Sequence, residues 1–223
     1  GTSSITFGAN SDLTLSADTK FAAQNNTSIN MNGVLKGSGQ FQVGTASKVN
    51  FGSTSNNAAH TGDFKMLGNN SVVTVNTAAD GTFLKSGATI APDANSTGHT
   101  ITLNTANVFK GNVSVLNKAI TLDVNANQSA VGTITMTTGT LNLAVASGVT
   151  SIIFADNSSA SWGTGTLAIT GAADTEVGFG TDNSSLTSGQ LSQITIGGSD
   201  ALLNSSGKIY AVVAESTFTS AGS

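Results

Sequence analysis

The chain has 223 residues, of which only 9% are charged, against about 25% in an ordinary domain. All eight basic residues are lysines, the net charge is −4, and there is no cysteine. This composition argues against a nucleic-acid surface built on arginine forks, and it removes disulfides and cysteine-metal clusters as sources of stability.

Two-residue alternation of apolar and small polar residues runs along almost the whole chain. It begins with Ile5/Phe7, Leu13/Leu15, Ile29/Met31, Phe41/Val43, Val49/Phe51, Phe64/Met66, Val73/Val75 and Ile101/Leu103. It continues with Val113/Val115, Ile120/Leu122/Val124, Ile134/Met136, Leu141/Leu143/Val145, Leu167/Ile169, Val177/Phe179, Ile194/Ile196 and Ile209/Ala211/Val213. Each burst predicts a short strand with one apolar face, and Gly, Asn, Ser and Asp in the gaps predict turns. Grouped in pairs (Ile5 with Leu13, Phe21 with Ile29, Phe41 with Val49, Phe64 with Val73), the bursts recur every 16 to 26 residues, a solenoid-like period. Glycines at the corners, Gly33, Gly37, Gly52, Gly62 and Gly68 among them, are expected to supply positive φ.

Helix signals are confined to one turn within Leu186–Gln193, with Thr187 or Ser188 as N-cap, and a turn at Ser199–Asn204. Asn-Gly or Asp-Gly hairpin turns occur only at Asn32-Gly33 and Asp80-Gly81, which disfavours an antiparallel sandwich or barrel. The expected fold is all-β: a parallel β-solenoid of about nine short-stranded coils, making a rod of about 45 Å at the usual strand spacing. We expect one domain over 1–223, with repeat coils in 1–150, a closing block in 151–200, and a terminal strand and tail in 201–223. No run approaches the roughly 20 apolar residues of a membrane helix, so no membrane insertion by this segment is expected. No signal peptide is visible, and the chain reads as a mature or excised fragment.

Two stretches carry a family resemblance. Residues 37–43 (GSGQFQV) and 60–76 (HTGDFKMLGNNSVVTVN) resemble the autotransporter-associated β-strand repeat, with fainter echoes at 109–124 and 132–143. Residues 151–197 resemble the closing block of bacterial surface proteins that carry such repeats and often a PEP-CTERM sorting tail. Asp156, Trp162, Leu167, Ile169, Leu186, Gln190, Leu191 and Ile194 fill that block's characteristic places. The last residues, KIYAVVAESTFTSAGS, depart from it by lacking a Pro-Glu-Pro motif, an apolar helix and a basic end. The resemblance implies a secreted or surface-displayed bacterial β-solenoid, without an activity.

No catalytic constellation emerges, and no enzyme activity or cofactor is expected. His60 and His99 lack neighbouring partner sets, and His60 reads as a corner residue. Asp174, Glu176 and Asp182 are the densest carboxylates and a weak calcium candidate, though a solvated acidic loop explains them better. Thr100/Thr102 and Thr133/Thr135/Thr137 form short outward threonine rows, in keeping with the good β-propensity of threonine. Trp162 and Tyr210 could stack sugars but fit better as parts of a hydrophobic cap.

The expected role is a non-enzymatic structural or adhesive module outside a bacterial cell, self-associating head to tail into filaments by strand addition. The expected interface is Ser4, Ile5, Thr6 and Phe7 at one end, with Ile209, Tyr210, Ala211, Val212 and Val213 at the other. Surface glycans are further candidate partners. The alternative is an extracellular carbohydrate-binding or polysaccharide-degrading β-helix, which would show a carboxylate cluster with aromatics beside it.

Overall fold

A computed structural model describes residues 3–17, 20–23, 25–77, 82–173 and 176–212. The chain winds as a parallel β-solenoid. Its longest face stacks nine parallel strands: Ser3–Phe7, Thr27–Met31, Lys48–Phe51, Val72–Val75, His99–Leu103, Ile120–Val124, Thr140–Val145, Thr166–Thr170 and Ile194–Ile196. Nine rungs make eight turns, close to the expected nine coils, and about 38 Å of rod.

Register explains why alternation was required. Ile5, Ile29, Val49, Val73, Ile101, Leu122, Leu143, Ile169 and Ile196 stand one above another in the inward row. Thr6, Asn30, Asn50, Thr74, Thr102, Asp123, Ala144 and Thr170 form the outward row beside it. A one-residue slip in any coil would exchange the two rows, so the buried face fixes the register.

The first three coils have three strands each, whereas grouping the bursts in pairs implied two. Ile5, Leu13 and Phe21 lie on successive sides of one coil, and the ladder partner of Ile5 is Ile29. Coils run from 20 residues (Ile29 to Val49) to 28 (Val73 to Ile101). Alternation reports which way a side chain faces; it carries no information on which burst stacks on which.

A second face stacks Lys20–Ala23, Gln40–Val43, Phe64–Met66, Thr89–Pro92, Asn112–Val115 and Ile134–Met136. The third face has Asp12–Leu15, Val34–Gly37 and Asn56–His60 near the N-terminal end, and Gln128–Val131, Ile152–Phe154 and Val177–Phe179 further on. Between these two groups, the bridge Leu84–Phe109 alone continues the ladder among the described residues.

Phenylalanines fill the interior of the first five coils. Ring centroids step from Phe7 to Phe21 (5.9 Å), Phe41 (5.1 Å), Phe64 (5.3 Å), Phe83 (4.7 Å) and Phe109 (6.2 Å), mostly at tilted or edge contacts of the favoured kind. Outside, an asparagine ladder ties coils together. Asn76 donates to Asn50 (2.8 Å), Asn104 to Asn76 (2.7 Å) and Asn125 to Asn104 (2.8 Å).

At one corner Asn26, Ala46, Asn70 and Gly98 all adopt left-handed backbone, with φ of 57°, 53°, 59° and 75°. The amides of the first three each donate to a carbonyl of the next coil, at Thr45, Asn69 and Thr97. Glycine does a different job at Gly62, whose φ is not positive: a Cβ there would run into the Gly39 carbonyl. Close stacking of corners, rather than positive φ, selects glycine at that place.

The coils close at the C-terminal end by reversing direction. Ser199–Leu203 pairs antiparallel with Ile194–Ile196, and Ile209–Ala211 pairs antiparallel with Ser199–Leu203. The turn expected at Ser199–Asn204 is therefore mostly strand. The expected helical turn is present as Ser188–Leu191, capped by Thr187 in a reciprocal box with Gln190.

Candidate functional surfaces

The residues that resemble a closing block form a buried polar network. Asn157 accepts from the Ile134 amide (2.7 Å) and donates to the Ala155 carbonyl (2.7 Å). The Gln190 amide donates to the carbonyls of Asn157 (2.6 Å) and Ala160 (2.8 Å) while accepting from the Thr187 amide (2.8 Å). Trp162 is 3% exposed, donates to the Ile134 carbonyl (3.0 Å) and meets Phe179 edge-on at 6.1 Å. Beyond Ile134–Met136 the second face runs out of strands, and these side chains satisfy the backbone groups that a further strand would have met. Trp162 is therefore core and cannot act as a sugar platform, whereas Tyr210 lies half-buried on the last strand.

The carboxylates do not converge. Asp174 lies outside the described residues. Glu176 turns back to accept from the Ala173 amide (2.6 Å), and Asp182 accepts from the Ser184 hydroxyl (2.6 Å) and amide (2.8 Å). The Ser184 hydroxyl, then its amide, holds the Asp182 carboxyl below the usual carboxylate range. The hydroxyl and then the amide of Ser158 do the same for Asp156, against burial and the like charge of Asp182. Among the described residues, no group of three His, Asp or Glu side chains is placed to hold a metal ion.

Both histidines face inward and stay apart. His60 donates from Nε2 to the Gly39 carbonyl (2.9 Å) and meets Phe64 edge-on at 5.3 Å. His99 shares a 2.7 Å hydrogen bond with the Ser96 hydroxyl, and its Nδ1 is buried without a partner. Burial lowers the pKa of each below 6.5, partly offset at His60 by the Gly39 carbonyl and Asp63, and at His99 by Asp93.

The outward threonine rows are short. Thr100 stands between Val72 and Thr121, and Thr102 between Thr74 and Asp123. A shallow groove of about 370 Å³ crosses the third face, with Lys110, Ser86, Ser129, Ala130, Ile153 and Thr181 in its lining. Among the described residues, that lining includes no carboxylate.

The two ends differ from the sides. Among the described residues the exposed large hydrophobics are Ile5 (44%), Leu202 (41%) and Val212 (40%). Ile5 belongs to the first rung, while Leu202 and Val212 lie on the terminal hairpin and just after it. Among the described residues Ser3–Phe7 pairs with Thr27–Met31 alone, and its other edge has no strand partner there. Of the expected interface, Ser4, Ile5, Thr6 and Phe7 fall on that strand. Ile209, Tyr210 and Ala211 fall on the antiparallel terminal strand, Val212 follows it, and Val213 lies outside the described residues. Sequence reasoning missed Leu202, because the turn expected at Ser199–Asn204 hid a strand with an outward apolar residue.

Comparison with protein-family models, with curated proteins and with solved structures returned no match. No helix among the described residues is long and apolar enough to cross a membrane.

Proposed function

We propose that this chain is a non-enzymatic structural or adhesive module of the bacterial exterior, a rod that joins copies of itself end to end. The observation that carries this reading is the placement of Ile5 at one end and of Leu202 and Val212 at the other. Along the sides, the outward positions of the long face are mostly Thr, Asn, Ser and Ala, with Lys48, Val72 and Asp123 among them, a polar surface that disfavours lateral contact. An uncharged edge such as Ser-Ser-Ile-Thr-Phe carries none of the lysines or prolines that protect sheet edges from pairing. Head-to-tail contact repeats without closing and builds a fibre. The low charge and the resemblance to bacterial surface repeats support a place outside the cell.

Negative-stain microscopy of the purified protein across concentration and salt tests the reading. Fibres one rod wide are the expected outcome. Single particles under every condition would refute self-assembly.

A further inference from the structure

We infer that the C-terminal end carries a socket for the first strand of a second copy, an inference that rests on the end-to-end reading above. The socket is a groove of about 330 Å³ between the helical turn and the terminal hairpin, with Leu191, Ala201, Leu202, Val212 and Asp200 in its lining. Its rim holds two of the three exposed large hydrophobics among the described residues, and the third, Ile5, stands at the opposite end of the rod. One kind of contact, head to tail, covers all three. A two-fold contact between N-terminal ends would cover Ile5 and leave Leu202 and Val212 in water.

The strand in the socket lining, Ser199–Leu203, runs opposite to the parallel rungs and is paired on both edges. A second copy in the same orientation brings Ser3–Phe7 to this end antiparallel to it, so the contact is one of side chains against the groove.

The occupant also needs cover. Phe7, Leu13 and Phe21 are only partly buried and form the open end of the phenylalanine-filled core. Ser3–Phe7 has no charge to desolvate, and Asp200 is the one charged group among the described residues of the socket lining. Seating the strand there places Ile5 against Leu202 and Val212 and removes apolar surface from water on both copies.

Because the chain has no cysteine, introduced thiols report contacts without background. Ile5→Cys, Leu202→Cys and the double variant are treated with a short bis-maleimide, and the products are sized by denaturing electrophoresis. The inference expects a ladder of dimers, trimers and longer products from the double variant, and monomers from each single variant. Covalent dimers from Ile5→Cys alone mean a two-fold contact and overturn it. Monomers from the double variant overturn it as well. If the Leu202→Cys thiol then resists maleimide, residues 213–223 of the same chain cover the groove; if it reacts freely, nothing does. Thr6→Cys with Val212→Cys repeats the test should the first pair fold poorly. Fibres from the unmodified protein without any ladder would sink the socket and leave end-to-end assembly standing, whereas no fibres would sink both.

Discussion

Replacing Gln128 with leucine tests how the solenoid holds together where its third face changes over. Gln128 is fully buried, at 0% exposure. Its Oε1 accepts from the Phe109 amide (3.2 Å), and its Nε2 donates to the carbonyls of Thr105 (2.8 Å) and Ala126 (3.1 Å). The side chain thus stands in for a missing rung between the bridge at Phe109 and the strand Gln128–Val131. Leucine nearly conserves the volume, so the cavity contribution is small and the orphaned polar groups decide the outcome. One buried N–H without a partner costs about 1–3 kcal/mol, and two weakened carbonyls add to it. Together they predict about 3 kcal/mol of destabilisation. In a chain of this length that lowers the melting temperature by about 6–12 °C.

Thermal and urea unfolding followed by circular dichroism measure the effect, with Gln42→Leu as control. Gln42 lies on an outward row and bonds only to the Gln40 side chain (2.6 Å), so its replacement stays within about 0.5 kcal/mol. If Gln128→Leu unfolds at or above the wild-type midpoint, the buried amide does not satisfy the backbone, and the explanation of the change of face fails.

Three further outcomes follow from the coil geometry. Ala46 holds φ 53° between Asn26 and Asn70, a conformation that asparagine tolerates better than alanine; Ala46→Asn should raise stability by about 0.5–1 kcal/mol in urea unfolding, and a loss would contradict the stacked-corner account. Asn104→Ala cuts the bond to Asn76 and the one from Asn125, and because the site is exposed the expected loss is about 1 kcal/mol; no loss would make the ladder decorative. His60 and His99 have lowered pKa values, so their contribution to stability is full above about pH 6.5 and fades as pH falls through the folded-state values. The urea midpoint should hold level above about pH 7 and fall below about 6.5, less steeply in a His60→Gln/His99→Gln variant; a midpoint that rises on acidification would contradict buried neutral imidazoles.

The parallel solenoid was legible because the inward row repeats in nearly every coil, from Ile29 to Ile196, and because turns with hairpin chemistry are rare. The stacking partners were not. Phe21 and Ile29 are neighbours in the alternation but belong to successive coils, and only tertiary register separates them. Buried amides were invisible for a related reason: Gln128, Asn157 and Gln190 look like surface residues in a polar sequence. Their inward placement depends on backbone groups left open more than 20 residues away. The resemblance to a closing block did mark Trp162 and Gln190, without indicating that they fill the place of an absent strand. At the C-terminal end, two antiparallel reversals arise from turns such as Gly197-Gly198, where positive φ of 57° and 87° lets the chain double back. Glycine pairs occur too freely in this composition to announce that reversal.

Assembly through the rod ends is tested most directly by sedimentation velocity over a concentration series, comparing the wild type with Ile5→Lys and Val212→Lys. A lysine on either face of the contact must be desolvated for the ends to meet, so each variant should stay a 22.1 kDa monomer while the wild type sediments as a growing series of polymers. A wild type that remains monomeric at every concentration, or polymers unchanged by both substitutions, would contradict the account.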